Sequence, residues 1–126
     1  MTYVQREVVD ITTDAGGDGT GYTGVVTGRV LAIRYVADGT NPYANTADFT
    51  VTAEASGLPV ITVTNESASN TYYPRAATAS TANAAALYAA GGTAVNDPIP
   101  VAQERVKIVV AQGGNTKTGR FHVYLG

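Results

Sequence analysis

From Arg29 to Val36 the chain reads RVLAIRYV. Arg29, Leu31, Ile33 and Tyr35 fall on one side of an extended backbone, and Val30, Ala32, Arg34 and Val36 on the other. A period of two is the signature of a strand. The same alternation recurs at Phe49–Glu54, where Phe49, Val51 and Ala53 oppose Thr50, Thr52 and Glu54. Ser56-Gly57-Leu58-Pro59 turns that segment, and Val60–Thr64 returns, which predicts a hairpin. Near the C-terminus, Val101–Ala111 places Val106, Ile108 and Val110 on one face. After the glycine-rich Gln112–Gly119, Arg120–Leu125 sets Phe121, Val123 and Leu125 against Arg120, His122 and Tyr124. These two segments read as a second hairpin. Residues 3–12, rich in β-branched side chains, predict the first strand.

Between these strands lie breaks. Four glycines within residues 14–21 (DAGGDGTG) predict a loop and not a strand. Gly24 and Gly28 bracket Val25–Thr27 and predict a bend or bulge where the chain changes sheets. Residues 65–99 lack clean alternation. Within them Tyr72-Tyr73-Pro74-Arg75 reads as extended, because Pro74 disfavours helix for Tyr73. The alanine-rich Thr81–Ala90 predicts a short helix ended by Gly91-Gly92. The whole pattern predicts an all-β chain: one domain over residues 1–126, an antiparallel β-sandwich or jelly-roll-like fold, with 65–99 as an extended loop or arm.

Composition narrows the function classes. Val, Ala, Thr and Gly supply 68 of 126 residues, Leu only four, and charged residues 14%, which excludes a helical bundle. The apolar runs are too short for a membrane-spanning helix, so no membrane partner is expected. Without cysteine there is neither a disulfide nor a thiolate metal site. A net charge of −2 gives no basic footprint for nucleic acid. The opening residues have no apolar core of signal-peptide length, so assembly in a cytoplasm is expected.

Charge is nevertheless uneven. Residues 1–18 carry Arg6 against Glu7, Asp10, Asp14 and Asp18, whereas residues 105–126 carry Arg105, Lys107, Lys117 and Arg120 without an acid. Either the two ends are neighbours and neutralise each other, or they are complementary between subunits or to an acidic partner.

Sites for chemistry are sparse. His122 is the only histidine, and none of Ser56, Ser67, Ser69 and Ser80 stands in a nucleophile-elbow turn, so the histidine reads as a solvated or interface residue. One histidine cannot close a zinc tetrahedron. Asp14 and Asp18 resemble a fragment of a calcium loop, but Ala15, Gly16 and Gly17 separate them and no glutamate follows. GGDGTG lacks the lysine and the helix that a phosphate loop requires. Catalytic residues, metals and cofactors are therefore not expected, and the chain reads as non-enzymatic. Tyrosine makes up eight of ten aromatics and arginine outnumbers lysine six to two, a bias that suits protein interfaces and also leaves carbohydrate platforms open. Tyr72, Tyr73, Arg75, Tyr88, Arg6 and Glu7 are the candidate interface residues.

Two strings are similar to known sequences: IPVAQERVKIVVAQGGNTKTGRFHVY at residues 99–124 and AALYAAGGTAVND at 85–97. With the TDAGGDGTGYT opening, they resemble small proteins encoded among the virion genes of tailed bacteriophages. The resemblance implies a virion structural protein. Small β proteins of such gene blocks include capsid decoration (cement) proteins, commonly trimers, whose partners are their own copies and the major capsid protein on the shell surface. Others are neck, tail or spike components. A carbohydrate-binding β-sandwich module is the rival reading from another class.

Overall fold

The structure, a computed structural model, describes residues 4–80 and 82–126. Its strands are β1 (Gln5–Thr12), β2 (Gly19–Ala37), β3 (Asp48–Ala53), β4 (Pro59–Val63), β5 (Asn70–Tyr72), β6 (Ala76–Ala77), β7 (Asn96–Asp97), β8 (Ile99–Ala111) and β9 (Thr118–Leu125). All ladders are antiparallel, and the main sheet has the order β1-β9-β2-β8-β3-β4, with β5 on the other edge of β2. The chain is all-β and sandwich-like.

The long strand β2 makes this possible. Its first half pairs with β8, from Gly19↔Val110 to Val30↔Ile99. Its second half pairs with β9, from Val30↔Leu125 to Ala37↔Gly119. Register shifts fall between Tyr22 and Val25, between Val26 and Gly28, and between Val30 and Ala32. The strand thus bends where Gly24 and Gly28 predict it. Gly28 has φ +144°, and its Cα faces the backbone of Gly126, a conformation a side chain would strain. One layer is β1, β9, the second half of β2, and β5. The other is the first half of β2, β8, β3 and β4.

The inward residues of the two layers meet in one core. Tyr35 of β2 and Phe121 of β9 face Phe49 of β3, with ring centroids 4.8 and 5.0 Å from that of Phe49. Tyr43, in the loop after β2, stacks on Tyr35 at 5.6 Å. Val106, Ile108, Val110, Phe121, Val123 and Leu125 are all buried, as the alternation of β8 and β9 requires.

Four local expectations are corrected. First, β8 and β9 are strands but not a hairpin. β8 pairs with β2 and β3, and β9 with β1 and β2, so residues 112–117 carry the chain from one layer to the other. Gln112 and Thr116 take left-handed φ values there. The crossing loop is held by outside partners: the Gly113 N–H donates to the Gly17 carbonyl, and the Thr13 hydroxyl to the Gly114 carbonyl.

Second, Gly19–Gly21 lie in β2 and not in a loop. Only 13–18 turns. A Cβ on Gly21 would stand 2.5 Å from Val9 Cγ1, so these glycines let β1 press its apolar side chains onto β2. Third, the alternation over 29–36 does not hold throughout. Ile33 and Tyr35 point inward, but so does Val30, while Leu31 is half-exposed, because the bulge at Val30–Ala32 shifts the face by one residue.

Fourth, no helix forms at 82–90 (Thr81 lies outside the described residues). The segment is turns and isolated bridges, Ala79↔Ala85 and Leu87↔Ala94. An alanine run this short has no apolar face to bury and too few bonds to repay nucleation, and Asn83 sits at φ +59°. Residues 73–98 form instead an arm with its own two-stranded ladder, β6–β7. Three of its backbone N–H groups donate in a ring: Thr78 to Val95, Val95 to Ala86, and Ala86 to Thr78. The long 65–99 stretch is therefore only partly arm, since β5 belongs to the main sheet.

Two buried hydroxyls set up a test. The Tyr43 hydroxyl donates to the Ile11 carbonyl at 2.6 Å, whereas the Tyr35 hydroxyl is buried without a partner. Burial pushes the Tyr35 phenol up to about 12. Tyr43→Phe removes a buried hydrogen bond to the Ile11 carbonyl and is expected to cost about 1 kcal/mol. Tyr35→Phe removes an unmet donor and is expected to be neutral or to stabilise by up to about 1 kcal/mol. Urea unfolding of both variants measures the contrast.

Candidate functional site

The outward face of the β1-β9-β2-β5 layer is built by strand register alone. β1 sets Arg6, Val8 and Asp10 outward, and β9 sets Tyr124, His122 and Arg120 beside them in that order. β2 follows with Ala32, Arg34 and Val36, and Arg34 lies across from Thr71 of β5. Asp10 and Arg120 form an ion pair at 2.7 Å, and the guanidinium holds the Asp10 carboxyl below the usual aspartate range. The acidic N-terminal and basic C-terminal segments are therefore neighbours along the whole of β1 and β9, and at this position they neutralise each other.

His122 sits among Arg6, Arg34 and Arg120. Its Nδ1 is buried without a hydrogen-bond partner. Burial lowers its pKa below 6.5, and the charges of Arg6, Arg120 and Arg34 add to this, with Asp10 opposing. None of the serines hydrogen-bonds it among the described residues: Ser56 pairs with Glu104, Ser67 with Asn45, and the Ser69 oxygen accepts from the Ala37 N–H. A shallow recess of about 390 Å³ beside the ion pair is lined by Asp10, Val36, Asp38, Gly39, Thr118 and Arg120, with Ala37 and Gly119 completing its wall.

The sequence-derived interface residues do not form one patch. Arg6 and Glu7 lie on β1 and Tyr72 on β5, at opposite edges of this layer, with β9 and β2 between them. Glu7 accepts from the Gly24 N–H at 3.0 Å and so ties β1 to the bend of β2. Tyr72 packs against the core, and its hydroxyl donates to Glu66 at 2.9 Å. Burial raises the Glu66 carboxyl, but hydrogen bonds from Asn70, Tyr72 and the backbone of Ala68 and Ser67 outweigh it and leave the pKa lowered. Tyr72 is thus structural. Arg75 donates to the Leu31 and Pro74 carbonyls and anchors the root of the arm. Tyr73 is 66% exposed and Tyr88 76% exposed, and Leu87 is exposed near the tip. The sequence pattern does not single out Leu87, which falls in a segment that reads as helix, nor Arg34, whose neighbours across the sheet lie far away in the chain.

The Asp14–Asp18 loop is an ordinary turn. Asp14 Oδ1 accepts from the Gly16 and Asp18 N–H groups. Among the described residues no group of three or more His, Cys, Asp or Glu is placed to hold a metal ion.

The class that fold and site define is an antiparallel all-β protein with a charged outer sheet face and a projecting arm. Searches against protein-family models and curated proteins find no match. A solved structure described as "Crystal Structure of FLHE" aligns with a TM-score of 0.47 at 11% identity, covering 98% of each chain. At that level of likeness nothing is carried over to this chain.

Two predictions follow from these placements. His122 has a folded pKa below its unfolded value, so the unfolded chain binds the proton more readily. Its contribution is present above pH 6.5 and is lost as pH falls through the folded pKa. The melting temperature is expected to decline between about pH 7 and pH 5 in the wild type, and less steeply in His122→Gln. Tyr72→Ala is expected to cost about 2–3 kcal/mol, whereas Tyr88→Ala stays within about 0.5 kcal/mol. Chemical denaturation of both variants measures the difference.

Proposed function

We propose that this chain is a non-enzymatic structural protein of a tailed-phage virion, a capsid decoration protein that binds the head shell. The observation that carries the reading is the arm of residues 73–98. It projects from the core, is held by backbone hydrogen bonds, and leaves Tyr73 and Tyr88 largely uncovered and Leu87 partly so. Aromatic and apolar side chains presented this way suit anchors in the pockets of a partner. The resemblance of residues 85–97 and 99–124 to virion-gene products points the same way, and the first of these strings lies within the arm. The partners under this reading are the major capsid protein and further copies of the chain.

The test uses expanded capsids assembled without the protein. The wild-type chain is expected to co-sediment with them at a copy number in fixed ratio to the major capsid protein. The Tyr73→Ala, Leu87→Ala, Tyr88→Ala triple variant is expected to keep its melting temperature and to bind at least about tenfold more weakly. A copy number confined to a single ring per particle moves the protein to the neck or tail. No association with particles removes the reading.

A further inference from the structure

Ion pairing within the chain leaves its charges sorted in space. Among the described residues only two salt bridges form, Arg120–Asp10 and Arg105–Glu54. Most of the remaining carboxylates collect at one end of the sandwich. The turn 13–18, the loop 38–47 and the crossing loop 112–117 are bonded together there: Gly113 N–H to Gly17, Thr116 N–H to Asp14, Ala44 N–H to Gly113, and Thr118 N–H to Asn41. Asp48 begins β3 at the same end and accepts from the Asn65 N–H, and the Glu66 N–H donates to Ala47. That end carries Asp14, Asp18, Asp38, Asp48 and Glu66 against Lys117. The carboxylates of Asp14, Asp38 and Asp48 are satisfied by backbone N–H groups, which leaves their charge unneutralised.

The arginines collect elsewhere. Arg6 and Arg34 stand on the outer face around His122, and the charge of each bears on that imidazole. Arg29 and Arg75 lie by the bend of β2, where they donate to the Gly126 and Leu31 carbonyls. Neighbours across a sheet are about 5 Å apart and alternate residues along a strand about 7 Å, so Arg6, Arg34 and His122 form one patch. None of these four arginines has a carboxylate partner among the described residues.

We infer that the outer face around Arg6 and Arg34 docks the acidic loop end of a second copy of this chain, so that copies associate head to tail. Charge complementarity names the occupant, since one chain carries both surfaces and neither is neutralised within it. The two surfaces differ, so the contact is heterologous and leads to rings or open chains rather than a two-fold dimer. Guanidinium groups on a rigid sheet are suited to carboxylates because their donors match both oxygens. This inference rests on the self-association part of the proposed function and not on shell binding.

The experiment is light scattering on the purified 126-residue chain across concentration and salt. The wild-type mass is expected to exceed the 12.9 kDa of one chain at low salt. It should fall towards that value between about 10 mM and about 1 M salt, as the screening length shrinks from about 30 Å to about 3 Å. Arg6→Glu with Arg34→Glu, and separately Asp14→Asn with Asp18→Lys, should each weaken association at least about tenfold. Circular dichroism checks each fold, and the wild-type salt series decides alone if a variant fails to fold. A mass that is monomeric at low salt up to about 1 mM protein overturns the inference. So does a mass that salt and both pairs of substitutions leave unchanged. A monomer that binds poly-L-glutamate through Arg6 and Arg34 overturns it in favour of a foreign acidic partner. Particle binding without salt-sensitive self-association overturns this inference and leaves the proposed function standing.

Discussion

The bend of β2 is the constraint on which the rest of the molecule depends. A 19-residue strand cannot stay straight and also bury both its halves. Three register shifts turn it, so that its first half lies beside β8 and its second beside β9. The two halves then belong to facing layers, and one strand joins both sheets covalently. Gly28 lets the backbone pass against Gly126, and the Arg29 N–H and carbonyl close that contact from both sides by bonding to Gly126. The aromatic cluster of Tyr35, Tyr43, Phe49 and Phe121 fills the space this creates.

The same bend brings both ends of β2 to one end of the sandwich. The turn before it and the loop after it therefore meet the crossing loop between β8 and β9. Gly17, Gly113 and Thr13 make that junction through backbone and hydroxyl hydrogen bonds, with the Thr13 side chain buried. Acidic residues at four separate places in the sequence become one surface as a result. The basic face arises in the same way, from β1, β9 and β2, whose outward residues stand in register.

The arm follows a different physics. The described residues of 73–98 contribute nothing to the hydrophobic core cluster, and most of their side chains are exposed, Pro74 being buried at the root. Its shape comes from short ladders and a ring of three backbone bonds. Side chains on such an element add little to the stability of the domain and are available for recognition, as Tyr73, Leu87 and Tyr88 are. Tyr72, one residue before the arm, belongs to the core instead, because β5 holds it against β2.

By itself the sequence determined the class of structure and the position of most strands. Alternation at Phe49–Ala53, Val106–Val110 and Phe121–Leu125 can bury one face only as strands, and Gly24 and Gly28 mark the bend, where the φ of +144° at Gly28 is one few other residues adopt. Local pattern also separated the His122 face from the core face of β9. Pairing was decided by tertiary structure. β8 and β9 look like a hairpin because a glycine-rich loop joins two alternating segments, yet each finds better burial against β2 in a different layer. Gly19–Gly21 look like a loop because the side chains that require their bareness, Val9 and Ile11, lie on another strand. The alanine run looks helical because propensity is local, whereas a helix needs a face to bury and this one has none. The candidate interface was legible as single residues and not as surfaces. Arg6, Arg34 and His122 become neighbours only when three strands lie side by side, and a period of two within each strand carries no information about which strand comes next.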